Sequence, residues 1–445
     1  MRTVSLQITI AIPRVNPPQG GFNNPAEKDR MKRRLKIFNL ENNNKIFGLR
    51  RNVFFLGLVS LFNDFSNEMI QSVMPSLLFV TFGVSPLGIG LIEGVSDALA
   101  SFLKIFSGWF SDMIGRRKIP AVVGYVLSVC TRPFFILASN FYHVFTIRLV
   151  DRIGKGLRDA PRDALLASSV APEELGKSFG YHRAMDAAGG VLGPLAAFLI
   201  LPVILNDYKK LFLIAFAVGI LAVLSFFFVK EVPAMPQKPN GSLVRLDLGL
   251  LRANWRFALF LGAIFIFGLG TIPITLMFLR PIGLGFGLAS IPIAYFIYNI
   301  TFVLTAIPLG RLSDKIGERK VIAGGVVAAI ASYLVLAFSN SVAYVVLAIV
   351  CFGIYAAATE GVKRALAAKL VDPRLLATGE GLLHASAGLS SLIAGIVSGL
   401  LWSSFGHSAA FIYGAAMSIL GLIVFYLISF NGFIKHRIEN RISAR

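Results

Sequence analysis

Charge is scarce in this chain, and acid is scarcer than base. Asp and Glu make up 23 of 445 residues, Lys and Arg 43, and together only 15% of positions are charged. Soluble globular domains carry roughly 25%. The apolar share is 56% and the mean hydropathy +0.72. A water-soluble fold would have to hide repeated apolar runs of about 20 residues, the length that matches a hydrocarbon core about 30 Å thick. Cysteine is nearly absent as well. Cys130 and Cys351 both fall inside apolar runs, which rules out a disulfide framework and leaves no metal-ligand spacing. A P-loop, a nucleophile elbow and a His/Cys cluster are missing too, so no enzyme chemistry, cofactor or metal is expected.

Basic residues are missing from alternate loops. The segments 82–86, 139–143, 339–343 and 403–408 contain no Lys or Arg, and Lys209, Lys210 and Arg280 are the only basic residues on that side. The other set carries Arg116, Arg117, Lys118, Lys177, Lys230, Lys238, Arg245, Arg252, Arg256, Lys315, Arg319, Lys320, Lys369 and Arg374. This asymmetry is the positive-inside pattern, and it predicts both termini in the cytoplasm and a multi-pass protein of the inner membrane. It also explains the net charge of +20 without nucleic acid, which is not an expected partner. Near the N-terminus, the apolar stretch Val4 to Ile12 is too short to span and lacks a small-residue cleavage site. Met31, which opens Met-Lys-Arg-Arg, is an alternative start to Met1.

Apolar spans are predicted at 52–80, 87–110, 119–138, 142–168, 176–203, 210–229, 255–279, 288–310, 320–338, 342–368, 376–402 and 408–430, each near the length a membrane helix needs. The expected organisation is a cytoplasmic N-terminal tail (1–50), a six-helix bundle (51–230), a polar linker rich in proline (231–254), a second six-helix bundle (255–430) and a basic cytoplasmic tail (431–445). The halves repeat. Gly108-Trp-Phe-Ser-Asp112-Met-Ile-Gly115-Arg116-Arg117-Lys118 matches Gly310-Arg-Leu-Ser-Asp314-Lys-Ile-Gly317-Glu-Arg319-Lys320, and the segment from Arg162 to Pro172 aligns with that from Lys363 to Pro373 at nearly the same offset. Two parallel six-helix halves follow, with a binding site expected between them near the midplane.

The duplicated Gly-x-x-x-Asp-x-x-Gly-x-Arg-Lys loop resembles motif A of the major facilitator superfamily, over about residues 50–430. The resemblance implies an all-α membrane fold of twelve transmembrane helices in two pseudo-symmetric halves. It also implies alternating access, with Gly108, Asp112, Gly115, Arg116 and Arg117 and their counterparts Gly310, Asp314, Gly317 and Arg319 in a gate. Gly189, Gly193 and Pro194 follow part of the spacing of motif C, a helix bend that in this superfamily accompanies proton-coupled export; the closing Gly-Gly is Ala197-Phe198 here. Arg148 takes the place of the motif B arginine, although the glycine usual one turn later is Arg152.

Ionisable residues inside a bilayer are costly unless paired or wetted, so their positions point to function. Most lie in the first half. Asp64 and Glu68, four apart, share one helix face, and Glu93 and Asp97 repeat that spacing. Arg148, Arg152, Lys155, Asp159 and Arg162 form a charged stripe that places Arg152 roughly 15 Å into the membrane. His182, Asp186, Gly189 and Gly193 share a face flanked by Arg183. The candidates for substrate and proton coupling are therefore Asp64, Glu68, Glu93, Asp97, Arg148, Arg152, Arg183 and Asp186, and for Glu93 and Asp97 structural pairing with Lys104 or Arg152 is the competing reading. The expected partners are a small-molecule substrate, protons and the lipid bilayer, and the chain is expected to be monomeric. Proton-coupled efflux of a small organic solute is the leading function. Import of a small anionic or zwitterionic solute, and a non-transporting sensor or partner of the same fold, are the alternatives.

Overall fold

The computed structural model describes residues 45–171, 174–232, 254–371 and 376–442, the side chains of Asp112, 376–378 and 427–442 excepted. The expected N-terminal tail through residue 44, including Met31, and residues 233–253 of the expected linker lie outside the described residues. Twelve long helices follow in order: α1 (Arg51–Gln71), α2 (Pro86–Ile114), α3 (Lys118–Thr131), α4 (Phe141–Ser168), α5 (Leu175–Val203), α6 (Tyr208–Ser225), α7 (Trp255–Leu269), α8 (Ser290–Ile316), α9 (Glu318–Phe338), α10 (Val342–Leu370), α11 (Leu376–Phe405) and α12 (His407–Ile442). Among the described residues, nine segments are long and apolar enough to cross a bilayer. The helices outside that set are α1, α2 and α4, the same three that carry the ionisable stripes.

Several helix ends follow from local chemistry. Ser85 caps α2 by accepting from the Gly88 amide at 3.2 Å, and Pro86 at the first helical position gives up no needed donor. Asn140, Asp207 and Asn254 cap α4, α6 and α7 in the same way. Gly115 ends α2 with φ +64°, and Gly317 ends α8 with φ +95° and ψ 143°, conformations that a Cβ opposes. The glycine common to both copies of the repeated loop thus has a backbone reason to be there.

The structure departs from the sequence reading in several places, and three of them change the architecture. The seventh span is interrupted: α7 stops at Leu269 and a short helix, Ile274–Met277, resumes after Pro273, which lacks the amide a continuous helix would use. Residues 45–50, expected in the tail, form a two-stranded antiparallel hairpin, Lys45–Ile46 with Leu49–Arg50. The last helix continues to Ile442 rather than stopping at 430.

The buried apolar residues divide into three clusters, and their placement sets the shape of the bundle. One joins both halves at the end with few basic loop residues, through Met74, Leu78, Phe212, Phe278, Tyr333 and Phe411. The other two sit near the basic loops, one per half: Val53, Tyr125 and Phe226 in the first, Phe257, Ile322 and Leu366 in the second. The halves share a core at the charge-poor end and keep separate cores at the basic end. They meet along α2 and α11, where Gly90 faces the Gly395 backbone and Gly399 faces Pro86 and Leu87. α5 meets α8, where Asn299 donates to the Gly190 carbonyl at 2.9 Å. Small residues on both sides let backbones approach within dispersion range, a main source of helix association where lipid is as apolar as leucine.

Candidate functional site

A cavity of about 450 Å³ lies between the halves, within the range of small-molecule sites. Among the described residues of the first half only α2 lines it, through Glu93 and Asp97. The rest comes from the second half: Phe267 on α7, Tyr298 on α8, Phe352, Tyr355, Glu360, Lys363 and Arg364 on α10, and His384 and Ser391 on α11. The lining runs from mid-α2 to the basic end of α10, where Glu360 is exposed. A second hollow of about 500 Å³ lies between α3 and α4, lined by apolar residues such as Phe134 and Leu137 that are themselves exposed on the outside of the bundle. It holds none of the candidate residues.

At the closed end of the cavity Glu93 is buried. Arg148 Nη2 donates to both of its carboxylate oxygens, at 3.0 and 2.9 Å, and Thr275 Oγ1 from the second half donates to one of them at 3.2 Å. Asp97, one turn on, has a half-exposed side chain and faces Arg152 Nε at 3.9 Å, a looser pair, with Ser391 Oγ of α11 at 3.5 Å. Further along, Lys104 pairs with Asp159 at 2.9 Å. These three α2–α4 contacts convert the charged stripe of α4 into a ladder of ion pairs, which is how a helix with this many charges stays inside the bundle. Asp97 faces Arg152, as the competing reading has it, but the other partners differ from the sequence expectation: Glu93 takes Arg148, and Lys104 bonds Asp159.

Asp64 and Glu68 occupy the face of α1 that packs on α5. A Cβ at Gly189 would lie 2.6 Å from the Leu61 carbonyl oxygen and 3.0 Å from Asp64 Cβ, and one at Gly193 would lie 2.6 Å from the Phe65 carbonyl oxygen and 2.7 Å from Glu68 Cβ. These glycines are therefore packing surfaces for the two carboxylate residues, and Pro194 follows within the α5 helix. Asp64 accepts from Asn63 Nδ2 at 2.9 Å and Glu68 from Asn67 Nδ2 at 3.1 Å. Among the described residues no cation stands within ion-pair distance of either.

Asn63 connects this face to a buried cationic cluster that the sequence reading missed. Its carbonyl oxygen accepts from Arg132 at 2.9 Å and from Arg158 at 3.2 Å while its amide donates to Asp64. Arg132 also donates to Ser66 at 2.5 Å, and the Arg158 guanidinium sits 4.5 Å from the centre of the Tyr125 ring. A single arginine closing an otherwise apolar segment was the only signal for Arg132. On α5, Asp186 lies 3.4 Å from Arg183 and 3.5 Å from His182, whose other ring nitrogen is 2.8 Å from Ser60.

The repeated loops lie at the basic end, away from the cavity lining. In the first copy Arg117 donates to the Ala164 carbonyl of α4 at 3.0 Å, and the Arg117 and Lys118 amides both donate to Glu231 at 3.0 Å. The Asp112 side chain lies outside the described residues, and Arg116 is exposed. In the second copy Glu318 pairs with Lys369 of α10, while Asp314 and Arg319 are exposed. Each loop is thus tied to the fourth helix of its own half. Gly108 and Gly310 are the first residues of the two copies. Glu174, in the loop before α5, is held below the usual carboxylate range by its hydrogen bond from Arg50 at 2.7 Å, with Lys45 at 3.3 Å adding to the effect.

Comparison with known proteins agrees with this architecture. The chain is 32% identical over 405 residues to an uncharacterised MFS-type transporter of Methanocaldococcus jannaschii, covering 89% of this chain and all of that one. It is 25% identical over 306 residues to the multidrug resistance protein MdtH of an Enterobacter species, covering 67% and 74%. The crystal structure of a POT family transporter in complex with a thioalcohol-conjugated peptide superposes with a TM-score of 0.75 at 15% identity, covering 87% and 97%. The sequence model of the Major Facilitator Superfamily matches residues 56–298 and 282–432. With its twelve helices in two repeated halves, the chain belongs to the Major Facilitator Superfamily, a family of membrane transporters rather than enzymes.

Proposed function

We propose that this protein is a secondary transporter of the inner membrane that exports a small organic solute by alternating access, driven by protons. The observation that carries the reading is the pair Asp64 and Glu68: two carboxylates on one helix face inside the bundle, without an ion-pair partner among the described residues, against the glycine face of α5. A carboxylate in such a place exchanges a proton when its hydration or its distance to nearby arginines changes. Asn63 supplies the link, since it bonds Asp64 and two arginines at once. The loose Asp97–Arg152 pair opens and closes as substrate occupies the cavity, and the Arg183–Asp186 pair on α5 adjusts to the movement of α1. Glu93 and Arg148 hold α2 and α4 in register and, through Thr275, meet the second half.

In this reading the cavity faces the cytoplasm in the conformation described here, and both termini are cytoplasmic, in keeping with the basic loops at the open end. Moving the halves would close the basic end through the two repeated loops, with Asp112, Gly115, Arg116, Asp314, Gly317 and Arg319 at the contact, and bending α5 at Gly189, Gly193 and Pro194. The direction is supported by the likeness to a protein named for multidrug resistance and by the partial motif C spacing. The test is to replace Asp64 by Asn and Glu68 by Gln singly, and to measure proton-driven flux beside exchange of labelled for unlabelled solute. Loss of the driven flux with exchange retained is the expected result; driven flux equal to that of the unaltered protein in both variants would remove the coupling role.

A further inference from the structure

Within that transport reading, the two halves differ at one helical turn in a way that bears on what the cavity holds. The alignment that pairs Arg162 with Lys363 also pairs Asp159 with Glu360 and Asp163 with Arg364. In the first half this turn neutralises itself and its surroundings: Arg162 bonds Asp163 at 2.9 Å, and Asp159 pairs with Lys104. In the second half the carboxylate at the position of Asp163 is an arginine, so the turn carries two adjacent cations and one acid. Both cations, Lys363 and Arg364, line the cavity, and among the described residues neither has a carboxylate within ion-pair distance. Glu360 lies one turn before them on the same helix.

Of the other charges that line the cavity, the two on α2 have partners, while Glu360 has no ion-pair partner among the described residues. Glu93 is held by Arg148, and Asp97 faces Arg152. The walls between the charged rim and Glu93 are aromatic and aliphatic, with Phe267, Tyr298, Phe352 and Tyr355 prominent. We infer that the cavity takes an amphiphilic organic anion, its carboxylate or similar head group on Lys363 and Arg364 and its apolar body against the aromatic wall. Both side chains line the cavity, each from its own side of the helix, and charge-assisted hydrogen bonds from an ammonium or a guanidinium in a partly desolvated cleft are the strong ones.

The experiment uses the full chain in detergent and three probes of similar size and shape: naphthoate, the neutral naphthamide, and naphthylmethylammonium, with binding measured by calorimetry. Naphthoate is expected to bind about tenfold or more tighter than either other probe. In the Lys363→Gln/Arg364→Gln variant that preference falls to near unity while naphthamide binding holds, and Lys363→Arg, which keeps the charge, retains it. Equal affinities, preference for the ammonium, a preference the double variant leaves unchanged, or no binding of any probe would each overturn the inference. Flux in proteoliposomes separates the two claims: anion-selective binding without transport fails the transport reading alone, and transport without anion selectivity fails this one alone.

Discussion

The Glu93–Arg148 pair is the sharpest energetic test of how this bundle stays together. Their side chains are 8% and 3% exposed, Arg148 reaches both carboxylate oxygens, and Thr275 closes the arrangement from the other half. Replacing Glu93 by Gln removes the countercharge but keeps the shape, leaving a buried guanidinium uncompensated, which costs about 3–5 kcal/mol. That is a large share of the roughly 5–15 kcal/mol by which folded proteins exceed their unfolded states. Replacing Arg148 by Gln as well removes both charges and recovers most of the loss, because a buried pair contributes little net stability compared with neutral groups of similar volume. A double-mutant cycle read by reversible unfolding in mixed micelles measures this coupling. A single variant that costs under about 1 kcal/mol, or a double variant as unstable as the sum of the two singles, would refute the argument that Glu93 and Arg148 neutralise each other in a dry site.

Other consequences follow from particular contacts. Gly193→Leu should abolish folding or flux, since the added side chain would start 2.6 Å from the Phe65 carbonyl and 2.7 Å from Glu68 Cβ, and thermal unfolding beside a flux assay reads both. Gly317→Ala should destabilise by about 1–3 kcal/mol, because φ +95° with ψ 143° is strained for any residue with a Cβ; replacing a glycine with ordinary angles, Gly310→Ala, serves as the comparison. For Glu174 the folded carboxyl titrates below its unfolded value, so its contribution is present above the unfolded pKa of about 4.3 and is lost as pH falls through the lower folded one. The stability difference between the unaltered protein and Glu174→Gln, at most about 1 kcal/mol for a pair this exposed, should therefore vanish in acid and be full at neutral pH.

The architecture was legible because its signals are long and repeated. Apolar runs of bilayer length, the charge asymmetry of the loops and the twice-written glycine-aspartate loop each reported a property spread over many residues. The charged stripe of α4 was visible too, since a period of three and four is local. Its partners were legible only in part: Arg152 was set against Asp97, whereas Arg148 with Glu93 and Asp159 with Lys104 were not foreseen. Lys104 could be placed on α2, but whether it turned to Glu93 and Asp97 or crossed to Asp159 depends on the rotation of α2 against α4, which no single-helix pattern encodes. Arg132 was missed for a related reason: it lies beyond the last turn of α3, and its role comes from Asn63 and Ser66 on a helix distant in sequence. The break in the seventh span was signalled only by Pro273 within an apolar run.

The most direct test of the proposed function is the internal pH of proteoliposomes holding the purified protein and a pH-sensitive dye, challenged with organic anions, zwitterions and lipophilic cations. The account predicts proton movement that depends on the compound, opposite in direction to the solute, and lost in Asp64→Asn or Glu68→Gln. Solute movement with no accompanying change in internal pH, in the unaltered protein, would contradict it.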